Sequence, residues 1–480
     1  MTLVFVRRTA KTALLAGEML VLAWLFITED LSQFGFLILA IGVTLATVAI
    51  VCSDWPIGCV VMLAIGAAMP MFNATVFGLH VRPEHIATSV AIVAIVVQLS
   101  RRQVDLNLRL RNFDYWLIAY VGLNFFSSLV TSPQPSKTLV WATLNALVVT
   151  PYFLVRVLVR NDRQVWLALK GLLCVGALEA IYGILASISN HIWGTSWGVE
   201  VGQYGSIPGT YGTQYEANLF GSYTACTAVM FLALFLLSKE PRRSWYGWGV
   251  MFGLVAAFFS LARSVLLGLP IPIFALFWIS AKKGHVRLRQ LLPVAIGVGL
   301  VLAMLSPFVL EYVKARFATI QTGELSTDLA ADSSTFGRLI QMSAALDDVK
   351  EHPIFGSGTA SFQLLFKMSD VLPVSYEDED TGWISNSPLR VVHDTGLVGL
   401  AVFLAFLGFL ARTTYTALAF ANRSTKVSIV ALSAGLLLYA ITFQATEATL
   451  LTFTWIHLGL LAAAATVASD GGRLVQSAQE

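Results

Sequence analysis

The sequence predicts an all-α integral membrane protein: a bundle of about 12–14 transmembrane helices with one large outer loop. Three observations predict it. Hydrophobic residues make up 56% of the 480 positions and charged residues 12%, with a mean hydropathy of +0.73, far too apolar for a soluble domain of this size. Apolar runs long enough to cross a bilayer follow one another with short polar breaks. The basic residues then fall in alternate breaks, as Lys and Arg do in cytoplasmic loops.

Taken in order, the runs predict spans at 11–28, 33–52, 57–79, 85–100, 114–131, 137–158, 164–187, 216–237, 246–262, 264–281, 291–310, 394–411, 428–444 and 448–467. The first follows Arg7, Arg8 and Lys11 as a signal peptide would, but no small-residue cleavage site precedes Glu29 and Asp30, so it reads as a retained span. Arg101 to Arg111, Arg156 to Arg163, Lys239 to Arg243, Lys282 to Arg289 and Arg412 to Lys426 mark cytoplasmic loops, and both termini are expected on that side. Connections 29–32, 132–136 and 189–215 hold no Lys or Arg and are expected to face outward. Residues 1–310 therefore read as eleven helices with short loops, 311–392 as the large outer loop, and 393–480 as the C-terminal helices.

The four cysteines lie in or beside apolar runs with no metal-ligand spacing and read as packing residues; no metal or other cofactor is expected. No internal repeat of the transporter kind is visible. The outer loop carries twelve acids and six bases, and a loop of that length suggests chemistry or binding at the outer surface.

Ionisable groups in or beside spans are costly and mark candidate sites. Glu18, Lys170, Glu179, Glu216, Arg263 and Glu447 qualify. Lys170 is expected to snorkel. Arg263, in SLARSVLLG, stands in a two-residue outer connection with no acid beside it in sequence. Arg338 falls in STFGRLIQMSAALDDVKEHP, which reads as a helix capped by Ser334 or Thr335 and ended by His352-Pro353. That places Arg338 in a first turn, where an anion would be held by both the guanidinium and free N–H groups. Two outer arginines suit a diphosphate, because guanidinium groups grip its oxygens bidentately and keep their charge. EDED at 377–380 reads as a solvated acidic turn.

Two further outer stretches carry polar groups. In GTYGTQYEANLFGSY (209–223), Tyr211, Tyr215, Glu216 and Asn218 offer hydroxyl, carboxylate and amide groups to a polyhydroxylated ligand, or else form an interfacial belt with helix caps. In SNSPLRVVHDTGLVG (385–399), Asn386, Arg390, His393 and Asp394 stand where the chain re-enters an apolar run, with Arg390 and Asp394 spaced to pair at i and i+4.

In combination, GTYGTQYEANLFGSY, SLARSVLLG, FGRLIQMSAALDDVKEHPIFGSGTASF and SNSPLRVVHDTGLVGLAVFL resemble the O-antigen ligase and polysaccharide polymerase superfamily of bacterial membrane glycosyltransferases, over roughly residues 205–410. The resemblance implies a GT-C-type fold in the bacterial inner membrane, acting at the periplasmic surface without a metal on an undecaprenyl-diphosphate-linked glycan, with an acceptor glycan or lipid as second substrate. The family's diphosphate-holding arginines would correspond to Arg263 and Arg338. Ligases carry His before an Asn, Ser or Gln that precedes Gly-x-x-Gly by ten positions; here Asn386, Gly396 and Gly399 fit, but Ser385 stands in the histidine's place.

Glycosyl transfer needs charge stabilisation on the leaving diphosphate, for which Arg263 and Arg338 are the candidates, and a proton acceptor, for which His393, Asp394 and Glu216 are candidates. His393 lies a little over two helical turns beyond Ser385 and is the expected replacement for the missing histidine. The sequence thus favours a polymerase of lipid-linked repeat units, with a ligase to lipid A core as the alternative and a flippase or transporter as the reading from another class. Chain-length regulators or export proteins are conceivable partners; nucleic acid is not an expected one.

Overall fold

In a computed structural model, the residues described are 55–72, 74–76, 79–100, 110–200, 208–241, 244–282, 333–366, 383–447 and 449–477. The expected spans at 11–28, 33–52 and 291–310, most of the acidic loop with its EDED turn, and Glu18 lie outside them.

The protein is all-α, and among the described residues nine helices are long and apolar enough to cross a membrane. In chain order the helices are α1 (Trp55–Ala68), α2 (Pro83–Ser100), α3 (Asn112–Val130), α4 (Pro135–Leu158), α5 (Asp162–Trp193), α6 (Ala217–Leu237), α7 (Ser244–Phe259), α8 (Arg263–Gly268), α9 (Pro270–Lys282), α10 (Ser333–Glu351), α11 (Ser361–Leu365), α12 (Ser387–Phe420), α13 (Arg423–Thr442) and α14 (Thr452–Ser477). Two small antiparallel hairpins interrupt them: β1 (Ala74–Val76) with β2 (Leu79–Val81), and β3 (Val199–Glu200) with β4 (Gly209–Thr210).

Three expected spans change shape. The run at 57–79 stops being helical at Ala68, because Pro70 follows and cannot continue the ladder; the chain turns there into the first hairpin. Helix α5 runs on to Trp193 and ends on Gly194, whose φ of 68° closes it in the left-handed conformation. Helix α12 begins seven residues earlier than the apolar run does, because Asn386 caps it, its side chain accepting from Leu389 N at 2.8 Å, and Pro388 suits the first turn.

Helix α6 lies at the centre of the bundle: every residue of it but Phe235 is buried, as its apolar character on all faces requires. It packs against α7 and α13, while α12 packs along α3 and α14 along α4. Pairings at the two ends of the bundle separate the connections into two sets. At one end Thr213 and Gln214 hydrogen-bond to Ala68 O, Thr359 to Ser128 and Asn124, and Asn386 to Gln444 O. At the other, Lys170 meets Glu240, Arg111 meets Asp470, Arg156 meets Asp114 and Arg423 meets Leu237 O. The first set includes residues of loops expected outside, and the second includes residues of loops expected inside.

Candidate functional site

At the first end, the N-terminus of α6 is flanked by two arginines. Glu216 is its N-cap residue; the backbone carbonyl accepts from Leu219 N and Phe220 N, while the side chain makes no capping bond and turns outward. There its Oε2 stands 3.7 Å from Arg338 Nη2. The Asn218 amide, set with its oxygen toward the guanidinium, accepts from Nη1 at 3.2 Å and Nη2 at 2.7 Å. Arg338 also donates to Ala445 O at 3.0 Å, in the connection between α13 and α14. Glu216 and Arg338 keep side-chain exposures of 41% and 28%, so both remain open to a ligand.

Helix α10 starts at Ser333, which puts Arg338 in its second turn and not its first as the sequence suggested. The helix end beside the guanidinium is that of α6, whose free N–H groups and positive dipole end reinforce the arginine.

Arg263 opens α8 just after a tight turn. Leu261 adopts φ 54°, unusual for a non-glycine residue, and Ser260 Oγ accepts from Ala262 N at 3.2 Å. This turn sits directly on α6: a Cβ at Gly221 would come within 3.0 Å of Ser260 Cβ and 3.2 Å of Ala262 Cβ. Arg263 therefore begins beside the second turn of α6, and Arg338 reaches its first. Tyr215, 44% exposed, hydrogen-bonds Arg82 Nη1 at 3.4 Å, and Arg82 Nε pairs with Glu84 at 2.9 Å. Burial works to lower the Arg82 pKa, but Glu84 and Tyr215 leave it above the usual arginine value. Burial raises the Tyr215 and Tyr211 hydroxyls. Tyr211 directly follows the second hairpin, where its backbone N–H donates to Gly198 O.

The stretch 385–399 is organised by a break in α12. Gly396, at φ 69° and ψ −173°, interrupts the helix and releases the backbone groups around it. The loop 353–360 takes them up. Leu397 N donates to Pro353 O and Val398 N to Ile354 O, while Ser357 N and Gly358 N donate to the carbonyls of His393 and Asp394. Gly356 and Gly358 have φ of 72° and 93°, so HPIFGSG is the loop that fits this broken helix.

The side chains at the break form a buried polar chain. Arg390 Nη1 lies 3.0 Å from Glu447 Oε2, and its Nε lies 3.4 Å from Asp394 Oδ2, which also accepts from Ala360 N at 3.1 Å. Asp394 Oδ1 faces His393 Nδ1 at 3.2 Å, and His393 Nε2 faces Asp348 Oδ2 of α10 at 3.2 Å. His393 and Asp394 are 1% and 4% exposed. Both ring nitrogens are thus directed at carboxylates. Asn386 uses its side chain for capping and for Gln444 O.

Residues 248–404 match the family model described as O-antigen ligase. That match supports the O-antigen ligase and polymerase superfamily. It covers Arg263, Arg338, the HPIFGSG loop and the break at Gly396, and it supports a role in O-antigen or polysaccharide assembly, with lipid-linked glycans and a membrane as the family's setting. No curated protein matches the chain. The O-antigen ligase region leaves out Glu216 and Asn218, which the fold brings to Arg338 across more than a hundred residues of sequence. Sequence reasoning missed Arg82 and Asp348, since a lone arginine after a hairpin and one acid of an acidic helix carry no motif. It raised Glu447, but not the ion pair that explains it.

Proposed function

We propose that the protein polymerises undecaprenyl-diphosphate-linked oligosaccharide repeat units into a surface polysaccharide at the outer face of the bacterial inner membrane. The observation that carries this reading is the meeting of Arg338 with Glu216 and Asn218 at the head of α6, beside the turn that presents Arg263. In this reading the acceptor hydroxyl oxygen attacks the anomeric carbon of the donor, the bond from that carbon to the diphosphate oxygen breaks, and the hydroxyl proton passes to the Glu216 carboxylate. The diphosphate leaves with its bonding electrons, and Arg263, Arg338 and the α6 N-terminus hold the charge it gains. Fixed guanidinium groups can take the part that a divalent ion plays with other diphosphate donors. Glu216 suits the proton-accepting part better than His393 or Asp394, because it is exposed beside an arginine while those two are buried and engaged. Tyr215 and Asn218 then line the sugar side. Ser385, in place of the ligases' histidine, favours polymerase over ligase.

The test is glycan extension by purified protein from a purified undecaprenyl-diphosphate-linked repeat unit in EDTA. Extension by wild type is expected, with Glu216→Gln, Arg263→Ala and Arg338→Ala each losing at least about 10²-fold. Transfer to lipid A core but not to glycan would convert the reading to a ligase; full activity in both arginine variants would remove the site.

A further inference from the structure

The buried chain of charges does not end at the helix break. From Asp348 on α10 it runs through His393, Asp394 and Arg390 to Glu447, in the connection between α13 and α14. Two residues before Glu447 in that connection, Ala445 O accepts from Arg338, which is again on α10. The chain therefore closes into a ring that leaves α10 at Asp348 and returns to it ten residues upstream. We infer that His393 is a positioning residue: it latches α10 to the broken helix through Asp348 and thereby sets Arg338 over the head of α6. The inference rests on the transfer reading above for its effect on activity, but not for the latch.

Three features separate this role from direct proton transfer. His393 presents both ring nitrogens to carboxylates at 3.2 Å, so both are engaged. Its ring is closed in by Phe362, edge-on at 5.5 Å between centroids, and its 1% exposure leaves no approach for an acceptor sugar. Asp348, by contrast, is 49% exposed, and its carboxylate brings α10 to that ring. The apolar contacts of α10, where Ala345 packs with Phe362 and Ile384, hold the helix against the bundle without preferred direction, and the His393–Asp348 contact toward its C-terminal end adds a directional one.

The experiment compares His393→Gln, Asp348→Ala and the double variant in the full-length protein, by backbone hydrogen exchange and by glycan extension. Asp348→Ala removes only a half-exposed side chain, so it tests the latch even if His393→Gln folds poorly. Faster exchange over 341–351 is expected in both single variants, with the double no faster than either. Ser357 and Gly358, whose N–H groups donate to the backbone carbonyls of His393 and Asp394, should keep their protection. Extension should fall on the order of 10²-fold in each, the cost of displacing a binding group by about an ångström, and neither change should cost anything further on an Arg338→Lys background. Unchanged exchange in Asp348→Ala, or a loss of extension in His393→Gln that Asp348→Ala does not share, would overturn the proposal. So would faster exchange with full extension, because the latch would then not reach Arg338. If wild type extends no glycan, the transfer reading fails and the exchange data alone decide the latch.

Discussion

Arg390 shows what a single buried charge demands. Its side chain is 4% exposed and rests over the Trp383 ring, 5.1 Å from the centroid, with Glu447 and Asp394 as its two carboxylate partners. The Glu447 side chain is wholly buried and also accepts from Thr449 N at 2.6 Å. Removing one member of such a pair leaves the other charge buried and uncompensated, which costs about 3–5 kcal/mol. Glu447→Ala should therefore unfold in detergent at a clearly lower temperature than wild type, whereas Asn386→Ala, which loses a cap and one backbone bond, should cost only about 1 kcal/mol. Equal melting temperatures for Glu447→Ala and wild type would mean the pair is solvated. The i and i+4 spacing of Arg390 and Asp394 was legible in sequence; the partner 57 residues away was not. A one-dimensional reading ranks Glu447 as an acid near a span end and has no term for the fold that buries it.

At the scale of elements, the break in α12 explains why a glycine stands at 396. A Cβ at Gly396 would meet the backbone of Ile354 and Phe355, and its φ of 69° is strained for any other residue. Gly396→Ala should then cost at least about 1–3 kcal/mol and loosen the 353–360 loop. Gly408, in the same helix, has open space where a Cβ would stand, with nothing within 4 Å, so Gly408→Ala should be neutral or stabilise by up to about 1 kcal/mol. A pair of melting curves decides it; matching losses would mean that the helix as a whole, and not the break, is sensitive. The length of the apolar runs located α3, α4, α6 and α13 to within a few residues, because a continuous apolar run crossing a membrane satisfies its backbone as a helix. It failed at α1 and α12, where a proline or a cap outside the apolar run set the boundary.

Across the whole molecule, the two ends of the bundle differ in how they are held. The end with Lys170 combines a buried pair, Arg156 with Asp114, with exposed ones: Glu240 and Lys170 both have 36% side-chain exposure. Burial works to raise the Glu240 carboxyl, but its bonds to Lys170, Tyr246 and Trp166 keep it below the usual carboxylate range. A group depressed in the folded state contributes stability above its unfolded pKa and loses it as pH falls through the folded one. Melting temperature should accordingly show no Glu240-dependent change down to about pH 4, and Glu240→Gln should match wild type only below that point. The opposite end carries Arg263, Arg338 and the helix break, and contacts tie it together: Ser132 lies against Gly358, Gly358 N binds Asp394 O, and Asp394 leads through His393 to α10. Orientation thus decides whether the arginines meet a donor presented outside the cytoplasm. From the distribution of basic residues, Ser136 is expected at the outer end and Arg160 at the inner one. In spheroplasts, a membrane-impermeant maleimide should label Ser136→Cys directly and Arg160→Cys only after permeabilisation, on a background without the native cysteines. The reverse pattern would turn the proposed diphosphate site toward the cytoplasm and would remove the extracellular polymerase reading.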